Sequence, residues 1–355
     1  MKKKMTALVL VLALLLALAA CGTEPNNSPA VTQPPAGTAA VSDNSKNPVG
    51  DAEVDPSTID AYAITVMSGG AAWSQFERGF LDACNELGIN GYYLAPVDRN
   101  NATQMAELLD SAVTSKGDII IGTFMSLDMF GPGLLQSRKN GAVNASVQVT
   151  LSQEYCDFQI GTDQEAIGVV WADTLIEYYE ASGFEKLNFI LGRGSASELT
   201  IVKDTALVNR LKEKGYDDRI IYLDEVFDSG SAVTAAEQYA DYYKIYPELN
   251  CILCENSSAA TMGAANFVQE NHLEDQFITI GADASADILN YVLDGALDCT
   301  INQDFYQMGY RGIMLAYDLL VNGNAPESYQ NDSGCYLIRP EEVEEYAASA
   351  GIDLG

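Results

Sequence analysis

Basic residues are scarce: 19 Lys plus Arg stand against 50 Asp plus Glu, a formal net charge of −31. A nucleic-acid binder needs a basic face to neutralise phosphates, and a polybasic membrane patch needs clustered lysines; this composition excludes both. Histidine occurs once, at His272, inside the polar stretch 270–275, where a solvated helix end is expected. Ser-His-Asp catalysis would rest wholly on that residue. The chain holds no G-x-S-x-G elbow, no H-E-x-x-H pair and no G-x-x-x-x-G-K-[ST] phosphate loop. Gly192-Arg-Gly-Ser-Ala-Ser197 lacks the third glycine of a dinucleotide fingerprint and reads as a βα turn. A zinc site lacks ligands, with one histidine and no second close cysteine pair, and no metal or cofactor is expected. Carboxylate-pair hydrolysis alone survives by spacing, because 50 acids make close pairs inevitable.

Long apolar runs are also few. Met5–Ala20 is an uncharged run of 16 residues behind Lys2, Lys3 and Lys4, shorter than the ~20 residues of a spanning helix. It reads as a secretory h-region and ends in Leu18-Ala-Ala-Cys21-Gly22, which resembles the lipobox of bacterial lipoproteins. That resemblance implies a signal peptide over 1–20, lipidation of Cys21 and anchoring at the outer face of a bacterial cell membrane. Residues 22–58 carry six of the eleven prolines among Thr, Ser, Asn and Gly, so 21–58 is expected to be a flexible stalk. The other six cysteines are widely scattered and are expected to be buried small hydrophobes. Cys251 and Cys254 have redox-motif spacing but sit in an apolar strand-like run, where a helix start would be needed.

From Ile59 onward β-rich and helical patterns alternate. Strands are expected at 62–67, 91–94 and 118–122, with helices over 74–87 and 101–114. The alternation returns with strands at 187–191, 220–223 and 251–254 and helices at 200–214 and 233–243. Gly88 and Gly215 close equivalent helices 127 residues apart. The apolar strands separated by helices predict an α/β fold of two doubly wound parallel-sheet lobes. Polar residues stand just past three of these strands: Asn256 with Ser257, Asp283 and Gln303. Ligands of doubly wound sheets bind at such carboxyl ends.

The chain resembles the substrate-binding lipoproteins of ABC transporters, and within them the ribose/galactose-type periplasmic binding proteins of type I fold. Carrying the likeness are Ala72–Gly79, Ile160-Gly-Thr-Asp163, Glu255-Asn256, Ile280-Gly-Ala-Asp283 and Asn302–Gly309. The resemblance implies a multi-strand hinge, with lobe one at 59–162 plus 304–332 and lobe two at 163–303 plus 333–355. It implies a small polar ligand, most simply a sugar, and ABC permease subunits as partners of a monomer. Trp73 takes the place of an aromatic that stacks on a sugar ring, Asn256 of a hydroxyl-binding amide, and Asp283 of a hydroxyl-accepting carboxylate. Gln303 and Asp163 match hinge-region positions. Gln148, with Val149, falls where sugar-binding relatives often carry Asp-Arg or Asp-Ser on the fourth strand, and Lys203 stands near the place of an arginine, which a lysine cannot replace as a bidentate fork. Fewer charged hydroxyl acceptors leave a modified sugar or a nucleoside as alternatives. A module presenting its ligand to a membrane receptor is the alternative role.

Overall fold

A computed structural model of the chain describes residues 54–194, 198–255 and 257–355. The signal segment, Cys21, most of the stalk and Asn256 lie outside the described residues. Residues 54–355 form one compact unit.

The first half runs β1 (Asp60–Ile64), α1 (Ala71–Leu87), β2 (Asn90–Leu94), α2 (Ala102–Thr114), β3 (Ile119–Gly122), α3 (Leu127–Asn140), β4 (Val143–Val147) and β5 (Phe158–Gly161). The second runs α4 (Gln164–Ser182), β6 (Leu187–Arg193), α5 (Glu198–Lys214), β7 (Ile220–Phe227), α6 (Ala232–Ile245), β8 (Cys251–Glu255), α7 (Ser258–Asn271), β9 (Ile278–Ala282), α8 (Ala286–Leu293) and β10 (Cys299–Gln303). Then come α9 (Phe305–Tyr317), β11 (Gln330–Asp332), β12 (Cys335–Ile338) and α10 (Val343–Ala350).

Two six-stranded sheets result, in the orders β11-β5-β4-β3-β1-β2 and β12-β10-β9-β8-β6-β7. The strands pair parallel, with β12 antiparallel on β10. Both sheets therefore repeat one doubly wound plan, and the expected fold class is the observed one. Strands β3, β4, β8 and β9 are buried along their whole length, which is why β3 and β8 read as apolar runs, whereas β4 also buries Asn144 and Ser146.

Glycines let helices close on these sheets. A Cβ on Gly79 of α1 would strike the Tyr306 carbonyl oxygen of α9, and one on Gly309 the Phe76 carbonyl oxygen. In the other lobe a Cβ on Gly168 of α4 would strike the Lys203 carbonyl oxygen of α5. Helix α9 thus returns to the first sheet although it follows β10, and α4 belongs to the second although it follows β5. The chain crosses at 162–163, at 304 and at 333–334. Asp163 N donates to Asp332 Oδ1 (2.9 Å), Ser333 N to the Gly161 carbonyl (2.9 Å) and Asp304 N to the Gly334 carbonyl (3.1 Å). Three crossings tied to one another by these bonds make a multi-strand hinge between the two sheets.

All six described cysteines are free, and five are buried. Cys251 packs in the layer with Ile167 and Leu175 and Cys254 in the opposite layer with Tyr239 and Phe267. Alternation along β8 thus points the pair to opposite faces, and no redox pair forms. His272 is exposed and closes α7 in left-handed backbone at φ 56°.

Candidate functional site

In both lobes the carboxyl ends of the parallel strands converge on the hinge. On the first lobe, β1 runs into Gly69 and Gly70, both at positive φ (77° and 75°), a backbone open to glycine and costly for other residues. Tyr93 pins this turn, its hydroxyl bonded to Thr65 Oγ1 (2.8 Å) and to the Met67 carbonyl (3.0 Å). Trp73 follows in the first turn of α1, half-buried, edge-on to Phe76 (5.6 Å) and Phe305 (5.3 Å). Those contacts fix the indole plane.

Beyond β4, Gln148 takes left-handed backbone (φ 61°), and its Nε2 donates to Gln303 Oε1 at 3.2 Å. Gln303 ends β10 in the other sheet, so the two expected amides meet across the hinge. Gln148, Thr162, Asp163, Gln164, Val202 and Asp332 line part of a cavity of ≈ 500 Å³ on this flank. Asp163 itself is exposed and caps α4, its Oδ1 accepting from the amides of Glu165 (2.8 Å) and Ala166 (3.2 Å). Its carboxylate is spent on the helix start.

On the second lobe, Asp283 follows β9 in left-handed backbone (φ 69°). Ser258 Oγ donates to its Oδ2 at 2.6 Å, and its carbonyl accepts from Thr300 Oγ1 at 2.6 Å. Burial pushes the carboxyl above its ordinary range, and the Ser258 bonds pull the other way. Farther across the sheet, past the end of β7 with β8 and β6 lying between, Asp228 is 1% exposed. Asp228 accepts from the Gly230 amide (2.7 Å) and from Ser257 Oγ. Two successive serines, Ser257 and Ser258, thus hold one carboxylate each on either side of β8.

Lys203 is buried and its ammonium lies 2.6 Å from Glu255 Oε1 and 5.6 Å from the Trp171 ring centroid. Burial lowers the pKa of Lys203, and Glu255 opposes that. Arg193 completes the cluster, with Nε 3.1 Å from Glu255 Oε2 and Nη2 on both Asp204 oxygens at 3.1 and 3.2 Å. Sequence reasoning placed Gly192 and Arg193 in a turn. The strand instead continues to Arg193, which pairs in register with Glu255, and Gly192 is required because a Cβ there would strike the Tyr239 hydroxyl.

Phe227 was also missed. It ends β7 and is 37% exposed, an aromatic at a strand end on the lobe opposite Trp73. Its signal was an apolar run, 220–223, that continues past two acids to Val226-Phe227.

The chain matches the family described as periplasmic binding protein domain over residues 62–325, and it belongs to that family, whose members bind solutes. A comparison with curated proteins finds no match. Among solved structures it is similar to AraP, an arabinose binding protein from Geobacillus stearothermophilus, at 16% identity and TM-score 0.72, covering 81% of this chain and 99% of that one. It is similar to GanP, a glucose-galactose binding protein from the same organism, at 19% identity and TM-score 0.66, over 80% and 98% of the two chains. A solute binding protein of an ABC transporter from Agrobacterium vitis, bound with alpha-D-tagatopyranose, shows 18% identity and TM-score 0.66 over 83% and 99%. These likenesses establish the type I periplasmic binding protein fold.

Proposed function

We propose that this protein is a lipid-anchored extracellular receptor that captures a sugar between its lobes and delivers it to the permease of an ABC importer. The observation that carries the reading is the pairing of Gln148 with Gln303 across the hinge, beside Trp73 on the first lobe and Phe227, Asp228 and Asp283 at strand ends of the second. Trp73 on one lobe and Phe227 on the other offer apolar faces for the C–H face of a sugar ring. Asp283, with Asn256, accepts and donates to hydroxyls from the second lobe, and Gln148 and Gln303 do so at the hinge. Lys203 supports the wall from beneath, and Asp163 holds the hinge. A ligand touching both lobes favours the closed state, which is the form a transporter can distinguish from the empty one. Anchoring through Cys21 is supported by the lipobox-like sequence. The solved sugar-binding relatives support the solute class.

Thermal unfolding against a panel of pentoses, hexoses and nucleosides tests the reading. A ligand at 100 times its Kd adds about 2.7 kcal/mol of stability, visible as a shift of several degrees. Monosaccharides are expected to give the shift. A shift with nucleosides alone would discard the sugar, and the unliganded midpoint across all three classes would discard the assignment.

A further inference from the structure

Two cations stand at the second-lobe wall, and neither is offered to a ligand. Lys203 and Arg193 are 1% and 2% exposed, one in α5 and the other closing β6. Between them Glu255, itself 2% exposed, places one oxygen 2.6 Å from the Lys203 ammonium and the other 3.1 Å from Arg193 Nε. Arg193 has further carboxylates in Asp204 (3.1 Å) and Glu225 (3.4 Å). The oxygens of Glu255 and Arg193 Nε are buried without a well-directed hydrogen bond, so charge rather than aligned geometry holds the cluster. Such buried ion pairs are poor stabilising devices, because desolvation offsets the attraction and apolar replacements do as well. A role other than stability is the better explanation for three buried charges at a strand end.

We propose that Glu255 sets the charge selectivity of the cleft. By neutralising Lys203 from within the lobe, while Asp204 and Glu225 share Arg193, it leaves a wall that accepts uncharged polyols and turns away sugar acids and sugar phosphates. Asp283 past β9 and Asp228 past β7, on either side of β8, and the net charge of −31, repel anions as well. Discrimination here rests on a charge that disfavours the wrong ligand as much as on contacts that favour the right one. The proposal rests on the sugar-receptor reading, but Glu255 is a positioning residue in it and touches no ligand.

The test is calorimetric titration of the purified protein and of Glu255→Gln with D-galactose, L-arabinose, D-galacturonate and ribose 5-phosphate. The parent protein is expected to bind a neutral sugar at least about 100-fold more tightly than either anion. In Glu255→Gln that ratio should narrow about tenfold or more. A parent that binds galacturonate as tightly as galactose overturns the proposal, as does a folded Glu255→Gln with an unchanged ratio. If Glu255→Gln does not fold, Lys203→Met takes its place, and the ratio should then widen; an unchanged or narrowed ratio overturns the proposal. If only a nucleoside binds, the sugar reading falls, and the same ratios taken between uridine and uridine monophosphate decide the role of Glu255.

Discussion

Gln148 and Asp283 occupy the same place in the two lobes: each is the first residue past the fourth strand of its sheet, and each holds left-handed backbone, at φ 61° and 69°. A non-glycine residue in that conformation carries about 1–2 kcal/mol of strain. At Asp283 this turns the carboxylate onto Ser258 Oγ.

Asp283→Asn separates fold from binding. Asparagine tolerates left-handed backbone, can accept from Ser258, and removes a carboxylate whose pKa burial has raised. A raised carboxyl contributes stability that is complete at acid pH and lost as pH climbs through the folded-state value. The variant should therefore be at least as stable as the parent at pH 7, with the advantage gone below pH ~4. Sugar affinity should fall about tenfold, since an amide accepts one hydroxyl less. Calorimetry and thermal melts on the same sample check both halves, and a stable variant with unchanged affinity removes Asp283 from the site.

Gly79→Ala and Gly168→Ala should each cost about 1–3 kcal/mol. Both added methyls meet backbone carbonyl oxygens, of Tyr306 and of Lys203, which move only if a whole helix moves. Gly183→Ala is the control of a different kind. Nothing lies within 4 Å of its Cβ, but its φ is 73°, so its cost comes from backbone strain alone. Denaturant unfolding of the three variants ranks them. Equal stability of Gly79→Ala and the parent would mean that α1 and α9 have room to part.

Much of the fold was legible because fully buried strands leave a plain mark. Ile119-Ile120-Ile121 and Cys251-Ile252-Leu253-Cys254 admit no polar residue until the strand ends, and Gly88 and Gly215 mark helix ends through left-handed backbone (φ 69° and 74°). Strand ends in the site were harder. Arg193 and Glu255 are charged residues inside strands, buried because they neutralise each other across paired strands, and sequence spacing carries no trace of a partner 62 residues away. Gln148 was identified through resemblance; its meeting with Gln303 depends on where the hinge brings two sheets together.

Tyr346→Phe should weaken the second flank of the hinge. The Tyr346 hydroxyl, on α10, accepts from Gln75 Nε2 of α1 at 2.6 Å and from Asn302 Nδ2 at 3.2 Å. Gln75 is 5% exposed, so removing the hydroxyl leaves a buried amide without that acceptor, a loss of about 1–3 kcal/mol. Asn302 keeps the Tyr336 hydroxyl at 3.1 Å and loses less. Because Gln75 and Tyr346 sit on elements of different lobes, small-angle scattering of the empty protein should show a wider spread of interlobe angles. A lowered melting point with an unchanged scattering profile would confine Tyr346 to local packing.

Asp298 offers a pH signature independent of any ligand. It stands before β10, its Oδ2 accepts the Thr279 amide at 2.7 Å, and burial pushes its carboxyl up to about 6 against that bond. In the unfolded chain the group titrates near 4. The folded state therefore prefers the protonated form: the stability this group contributes is complete below about pH 4 and declines as pH rises through about 6. Asp298→Asn keeps an acceptor for Thr279 and has no proton to lose. The difference in stability between variant and parent should thus grow in favour of the variant from pH 4 to pH 7 and level off above it. Thermal melts at half-unit pH steps give that curve. A difference that stays flat across the interval would show that Asp298 is ionised in the folded protein at ordinary carboxylate pH, with the Thr279 bond outweighing burial.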